Sequence, residues 1–170
     1  MEEIFPLVDE SGKVIGQATR SKCHNGSKML HPVVHLYVFN GRGELLLQKR
    51  AANKDIQPGK WDTSVGGHVN SGESVEDALY REAKEELGME NFTPEFIQST
   101  IFESDIEKEF VYSYKTVYDR PFEVEKTEID TVHFWDSSEI EYCLGKSIFT
   151  PAFEREWKMR IAQLAHFHAR

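Results

Sequence analysis

The sequence predicts a mixed-sheet α/β or α+β domain in which paired strands precede a central helix. Segments rich in β-branched and aromatic residues alternate with turn-forming glycines in the first half of the chain, and a helical spacing of apolar residues begins near position 74. Further strand-like segments and a second helical pattern follow. The chain has 170 residues, of which 39% are hydrophobic, so we expect residues 1–170 to form one domain with its own core.

The first predicted elements form a β-hairpin. Residues 31–40, HPVVHLYVFN, have the composition of a strand, residues 40–43 form a turn, and residues 44–50 form the second strand. Residues 51–60 are polar and contain Pro-Gly, which is typical of a loop. A short strand then leads into Gly66-Gly67.

The central helix is predicted over Ser74–Leu87. Ser74, with Asp77 three residues later, resembles a capping box, and Gly88 is placed to end the helix. Strands are predicted after it over residues 95–102, 109–119 and 132–136. An amphipathic helix is predicted from Pro151 to about Phe167, because proline suits the first turn of a helix.

Composition limits the classes of partner. The chain carries 29 acidic and 20 basic residues, a formal charge of -9, which opposes tight binding to long nucleic acids. A small anionic substrate stays compatible, because a bound divalent metal supplies positive charge locally. No secretory signal or membrane span is evident, and Cys23 and Cys143 lie far apart without CxxC spacing. We therefore expect a cytoplasmic protein with two free thiols and no membrane partner.

The central helix places carboxylates beside its apolar face. Glu82 is seven residues after Val75 and Glu86 is seven after Leu79, so both fall in or beside the stripe that faces the core. Glu85 borders it one turn from Glu82. The stripe consists of Val75, Ala78, Leu79, Ala83 and Leu87. Buried carboxylates at this spacing repel one another unless they share a cation, and oxygen ligands suit Mg²⁺ or Mn²⁺. A solvated helix with salt bridges is the alternative.

The loop before the helix favours the metal site. Gly67, five residues, Glu73, seven residues and then Arg81–Met89 match the pattern Gly-x5-Glu-x7-Arg-Glu-U-x-Glu-Glu-x-Gly-U, in which U is a bulky apolar residue. Every fixed position is met, and Ala83 at the first U is the one departure. This pattern is the Nudix box, so residues 67–89 resemble the Nudix hydrolases.

The resemblance implies a three-layer α/β/α sandwich with a mixed β-sheet. It also implies that Arg81 orients the carboxylates and that Glu73 braces the loop. Mg²⁺ (or Mn²⁺) would be held by three carboxylates and a backbone carbonyl: Glu82, Glu85, Glu86 and Gly66. Such a site activates water for attack on a diphosphate. The residue that accepts the proton stays open between Glu82, Glu109 and Glu125.

A wider resemblance, over about residues 7–115, is to the type I isopentenyl-diphosphate isomerases and their hydrolase-like relatives. Two histidines with six residues between them precede a strand, a third follows the first glycines of the box, and a Glu-x-Glu pair comes later. The residues that match are His24, His31, His68, Glu107 and Glu109. The resemblance implies a second divalent metal at this cluster, such as Mn²⁺ or Zn²⁺. Ordinary packed histidines and solvated glutamates are the alternative.

One departure opposes isomerase activity. The similar isomerases need a cysteine directly before the Gly-His of the box, and this chain has Gly66 there. The similar isomerases also tend to lack some of the fixed residues of the Nudix box, whereas all three of its helix glutamates are present in this chain. We therefore predict hydrolysis of a diphosphate linkage in a nucleoside diphosphate derivative or similar small molecule. The alternatives are an isomerase-like enzyme and a catalytically silent sensor of a phosphorylated ligand, which would not need all three glutamates.

Basic residues are predicted to hold the diphosphate. Arg50 and Lys54 fall where the similar isomerases bind it, and Arg20 fits a third such position. Guanidinium groups recognise phosphate through paired hydrogen bonds, although solvated loop charges are the alternative for the lysine. The exact substrate and the oligomeric state stay open. Nudix folds often dimerise, and the sheet edges would allow a homodimer.

Overall fold

The computed structural model describes residues 1–54 and 56–164, and it contains the predicted strands and the two predicted helices in their order, together with elements that the sequence did not predict. The strands are β1 (Ile4–Val8), β2 (Val14–Thr19), β3 (Leu30–Phe39), β4 (Leu45–Arg50), β5 (Trp61–Asp62), β6 (Val65–His68), β7 (Glu95–Glu103), β8 (Lys108–Val117) and β9 (Ile129–Trp135). The helices are α1 (Arg20–Cys23), α2 (Val75–Leu87), α3 (Ser137–Cys143) and α4 (Pro151–Glu156). A π-helical turn, Trp157–Ile161, continues α4, and the end of the predicted C-terminal helix beyond residue 164 lies outside the described residues.

The main sheet is mixed, as predicted. Its strands follow the order β5-β4-β3-β8-β7, with β6 also paired to β3 and β9 to β4. β3 and β8 are parallel, whereas the other pairs are antiparallel. The predicted hairpin is right only at its turn, because β3 and β4 pair only at Phe39 and Leu45 before they diverge. That divergence lets β6, the strand that enters the box, pair with β3.

Helices cover both faces of this sheet. Along β3, Val34, Leu36 and Val38 pack in the core beneath α2, while Tyr37 and Phe39 belong to a second core beneath α3 and α4. This alternation follows from the two-residue period of a strand. The result is the predicted three-layer arrangement, in which the box helix forms one outer layer.

Local signals set both ends of α2. The Ser74 Oγ accepts a hydrogen bond from the Asp77 backbone N–H at 3.1 Å, which satisfies one of the free donors at the helix start. Gly88 has a left-handed φ of 65° and its N–H donates to the carbonyls of Ala83 and Lys84. The predicted boundaries are therefore confirmed to within one residue, and they fix the angle at which the glutamates of α2 project.

Two further expectations concern the cysteines and the membrane. Cys23 is buried and Cys143 is half-buried, and both are free thiols, as predicted. Among the described residues, no helix combines the length and the apolar composition needed to cross a membrane.

A buried ion pair joins the sheet to the C-terminal helix. The His35 Nδ1, on β3, lies 2.6 Å from the Glu156 Oε2 on α4, and the Ser113 Oγ donates to the other carboxylate oxygen at 2.6 Å. Burial alone lowers the pKa of His35, but the Glu156 carboxylate outweighs it, and with Asp62 and Glu109 it raises the pKa to about 9. His35 is therefore charged at neutral pH.

This ion pair makes a testable contribution to the pH dependence of stability. The pKa of His35 is about 6.5 in the unfolded chain and about 9 in the folded protein. The ion pair therefore stabilises the fold fully below pH 6.5, and this contribution is lost as the pH rises through about 9. We expect a loss of about 3 kcal/mol in the free energy of unfolding between these limits. Urea titrations of the wild type and of the neutral pair His35→Asn/Glu156→Gln at several pH values measure the difference. Parallel stability curves for the two proteins would contradict the assignment.

Candidate active site

One cleft, of about 1160 Å³, brings most of the predicted site residues together. Side chains from the strands β3, β4, β6 and β8 and from α2 line it. The predicted residues in its wall are Arg20, His24, Arg50, Lys54, Gly66, His68, Arg81, Glu82, Glu85, Glu86, Glu107 and Glu109. His31 is fully buried and lies behind the wall.

Two carboxylates of α2 face each other at the centre of the box. Burial, followed by the Glu82 charge, holds the pKa of Glu86 well above its usual range, so the two carboxyl groups interact electrostatically. Burial also raises the pKa of Glu82. The Gln48 Nε2 donates to the Glu86 Oε1 at 2.7 Å and so fixes that carboxyl group. Without a cation the pair must share a proton, and a divalent cation would replace it.

The glycines of β6 allow the Glu82 side chain to lie close to the strand. A Cβ atom on Gly67 would lie 2.1 Å from the Glu82 Cδ, so any side chain there would displace the carboxylate. A Cβ atom on Gly66 would point to the other side, 3.4 Å from the His35 Cδ2. The strand between the two sides is therefore only a backbone thick at this point.

Arg81 holds the loop and the helix of the box together. Its Nε and Nη2 donate to the two carboxylate oxygens of Glu73 at 2.7 and 2.9 Å, and Nη2 also donates to the His68 carbonyl at 2.9 Å. Its Nη1 donates to Glu82 at 2.8 Å and to Glu85 at 3.3 Å. This geometry agrees with the orienting role expected for Arg81 and the bracing role expected for Glu73. Glu85 itself is exposed.

Strand register explains how the distant histidines meet. β3 pairs with β6 so that Val33 lies opposite His68, and side chains two residues apart on β3 share a face, so His31 and His68 project to the same side. His24 follows α1, and Glu107 immediately precedes β8. The four residues each offer one ligand atom within 4.8 Å of the others.

The chemistry of this cluster fits a divalent metal. The His24 Nε2 lies 3.2 Å from the His68 Nε2 and 3.0 Å from the Glu107 Oε2. The His31 Nδ1 donates to the Met29 carbonyl at 2.8 Å, while its Nε2 is buried and makes no hydrogen bond to a described residue. That arrangement leaves a free lone pair aimed at the cluster, as a metal ligand requires.

Burial keeps two of these rings neutral. It lowers the pKa of His31 and, with the neighbouring His31, holds the pKa of His68 well below its usual range. Neutral imidazole is the form that binds metal. Phe5, on β1, stacks on the His68 ring with centroids 4.4 Å apart and so fixes its plane.

Glu109 is placed beside the histidine cluster and not within it. It lies opposite His31 across the parallel β3 and β8 strands and lines the cleft, but the group of four close ligand atoms does not include it. Burial, followed by the Glu107 charge, raises the pKa of Glu109 to about 8.

The predicted phosphate-binding residues lie in the cleft and are tethered there. The Arg50 Nε donates to the Ile56 carbonyl at 3.0 Å, and its Nη1 lies 3.7 Å from the Asp62 Oδ2. Lys54 pairs with Glu128, and Arg20 pairs with Glu3 at 2.9 Å. Each charge therefore has an acidic partner that an incoming phosphate would replace or join.

Sequence reasoning missed four residues that shape the site. Gln48, Phe5, His35 and Asp62 carry no motif, and each acts through partners far away in the chain. Only the strand pattern around His35 and Gln48 was visible in the sequence. The register that aims these side chains at the cleft was not.

Comparison with known proteins agrees with this architecture. The NUDIX domain family model matches residues 29–153. An uncharacterized Nudix hydrolase of Yersinia pestis is 33% identical over 138 residues, which cover 81% of this chain and 75% of that protein. A crystal structure of DR0079 from Deinococcus radiodurans superposes with a TM-score of 0.76 and 25% identity, covering 99% of this chain and 100% of that one.

Isopentenyl-diphosphate isomerases are also similar to this chain, over about half of its length. Isopentenyl-diphosphate Delta-isomerase 2 of Photorhabdus laumondii is 42% identical over 90 residues, covering 53% of this chain and 50% of that protein. The chain thus spans about half the length of several curated relatives. The family model, in contrast, matches most of the chain and includes the whole box. Together with the fold and the arrangement of Arg81 and the glutamates of α2, that match shows that the chain belongs to the Nudix hydrolase family.

Proposed function

We propose that this protein is a divalent-metal-dependent hydrolase that cleaves a diphosphate linkage in a nucleoside diphosphate derivative or similar small molecule. The observation that carries the proposal is the pair of interacting carboxyl groups of Glu82 and Glu86, which Arg81 and Gln48 orient in an open cleft. A pair of part-buried carboxyl groups is costly to maintain for structure alone. Its position in a cleft points to cation binding.

The glutamates of the box are proposed to bind the metal, and the residues around them to orient the carboxylates. Glu82, Glu85 and Glu86, with the Gly66 carbonyl, would hold Mg²⁺ or Mn²⁺, which when bound neutralises phosphate charge and acidifies water. Arg81 keeps the Glu82 carboxylate aimed into the cleft, and Gln48 does the same for Glu86. Neither carboxylate has to reorganise when substrate arrives.

The basic residues would receive the diphosphate. Arg50 and Lys54 line the same cleft as α2, and Arg20 lines it beside the histidine cluster. Because Arg50 is held by the Ile56 carbonyl, its guanidinium group is positioned before substrate binds. Exchange of the Asp62 and Glu128 partners for phosphate oxygens would keep these charges paired.

Three carboxylates in the cleft are candidates for the proton acceptor: Glu82, Glu109 and Glu125. Hydrogen bonds from the backbone and the side chain of Thr127 lower the pKa of Glu125, so it is ionised at neutral pH. Glu109, with its pKa near 8, is protonated there while the cleft holds no cation. Glutamine variants of each, compared by the pH dependence of turnover, identify the acceptor.

A second metal site is proposed at His24, His31, His68 and Glu107, with Glu109 at its edge. We expect the variant His24→Ala/His31→Ala to lose one bound metal per chain and to keep hydrolysis, because the glutamates of α2 are untouched. Elemental analysis after loading with Mn²⁺ or Zn²⁺ measures the metal, and His133→Ala, which alters an exposed histidine of β9, is the control. Unchanged metal content in the double variant would rule the second site out.

The isomerase alternative rests on the same histidine cluster and on the isomerase relatives. Gly66 opposes it, since a glycine has no proton to exchange with an allylic carbon. Neither Cys23 nor Cys143 lines the described cleft to replace that group.

A ³¹P NMR time course tests the proposed hydrolysis. Purified protein with Mg²⁺ would be offered nucleoside diphosphates and triphosphates, nucleotide sugars, ADP-ribose, thiamine diphosphate and isopentenyl diphosphate, with EDTA controls. Chelator-sensitive loss of one diphosphate signal supports the proposal and names the substrate class. No cleavage in a folded, metal-loaded sample favours the sensor, and conversion of isopentenyl diphosphate with its diphosphate intact favours the isomerase.

A further inference from the structure

The ring of His35 lies at the cleft although no motif includes it. Its Nδ1 is held by Glu156, and the ring is one of the side chains that line the cleft. The ring edge that carries Cδ2 and Nε2 is next to Gly66, where a Cβ atom would lie 3.4 and 3.7 Å from these two atoms. The absence of a side chain at position 66 therefore leaves this edge of the ring uncovered.

The support behind the ring is rigid. Glu156 is only 3% exposed and uses one carboxylate oxygen for His35 and the other for the Ser113 hydroxyl. It is the last residue of α4, directly before the π-helical turn Trp157–Ile161, and Trp157 is buried. Glu156 therefore fixes the plane of the imidazole and, as its ion-pair partner, keeps the ring charged, so that Nε2 carries a proton as well as Nδ1.

The acidic side chain that β5 brings towards this ring is already engaged. The Asp62 Oδ1 accepts hydrogen bonds from the Thr63 backbone N–H at 2.8 Å and from the Thr150 hydroxyl at 2.9 Å, and its Oδ2 faces Arg50. A donor at the cleft wall with a fixed direction is thus left for a ligand.

We propose that His35 is a substrate-positioning residue whose Nε2–H donates a hydrogen bond to a phosphoryl oxygen of the bound diphosphate, with Glu156 and Ser113 holding the ring. The proposal rests on the proposed diphosphate substrate. It places this anion contact on the other side of the strand at Gly66 and Gly67 from Glu82. The chemical class recognised is a diphosphate, whatever group it carries.

A double variant and a matched control distinguish a substrate-binding role of His35 from a structural one. In His35→Asn/Glu156→Gln, the asparagine amide takes the place of Nδ1 and keeps a hydrogen bond to residue 156, but the Nε2 atom is deleted. His133→Asn is the matched control, on an exposed histidine of β9 outside the cleft. Thermal melting followed by circular dichroism verifies that both variants are folded.

The probe is methylenediphosphonate with Mg²⁺, a diphosphate that cannot be hydrolysed. We expect the His35 Nε2 resonance of the wild type to shift on saturation in long-range ¹H–¹⁵N spectra, while that of His133 stays in place. The dissociation constant should rise about tenfold in the double variant and be unchanged in His133→Asn.

A wild type that binds the probe without moving the His35 resonance, or a double variant that binds it equally well, would overturn the proposal. Failure of the wild type to bind would overturn it too. Because binding is measured without turnover, a protein that binds through His35 but hydrolyses nothing refutes the proposed function alone.

Discussion

Replacing Glu86 by glutamine is expected to lower hydrolysis by about 1000-fold while leaving the fold intact. Glutamine has the same shape and keeps an oxygen to accept the hydrogen bond from the Gln48 Nε2. It removes the charge that a divalent cation needs. It also removes the repulsion from the Glu82 charge that, after burial, raises the pKa of Glu86, so the melting temperature should stay the same or rise.

The control for this variant is Glu90→Gln. Glu90 is exposed, pairs with Lys84 at 2.9 Å and lies outside the cleft. Its loss removes a surface ion pair of little energetic value and should leave turnover within about twofold of wild type. Phosphate release under saturating Mg²⁺ measures both variants. Wild-type turnover in Glu86→Gln would mean that the cation is held elsewhere and that the proposed role of the box glutamates is wrong.

The sequence predicted the parts of the fold that depend on neighbours in the chain. The ends of α2 were right because Ser74 and Gly88 act within one turn of the helix. β1 and β2 were not predicted, since Val14 and Ile15 of β2 are exposed and lack the alternation that marks a half-buried strand. The hairpin was right at its turn and wrong along its length, because strand pairing beyond the turn is decided by tertiary contacts.

The same distinction applies to the site. The box glutamates were found because their spacing on one helix is visible in the sequence. The contact between His35 and Glu156 joins residues 121 positions apart, and nothing near either residue specifies it. The histidine cluster was reached by resemblance, and its register could be derived only once β6 was known to pair with β3.

The substitution Gly67→Ala should lower hydrolysis by about 100-fold with little change in stability. The new Cβ atom would lie 2.1 Å from the Glu82 Cδ and 2.5 Å from its Cγ, so the carboxylate must move. Gly67 is not among the residues with positive φ, so alanine adds no backbone strain. The atoms displaced belong to the end of a flexible side chain, and moving them costs little folding energy but breaks the Glu82 contacts with Arg81 and Glu86.

Gly16→Ala is the matched control for this substitution. Gly16 is on β2, has no positive φ, and its nearest heavy atom for a new Cβ is the Leu7 Cδ1 at 3.9 Å, which is ordinary contact. Turnover and the melting temperature of the three proteins should be compared at equal Mg²⁺. If Gly67→Ala turns over like the control, the position of the Glu82 carboxylate is not what limits hydrolysis. If its activity falls while its melting temperature matches the control, then Gly67 is kept for the space it leaves beside Glu82 and not for the folding of β6.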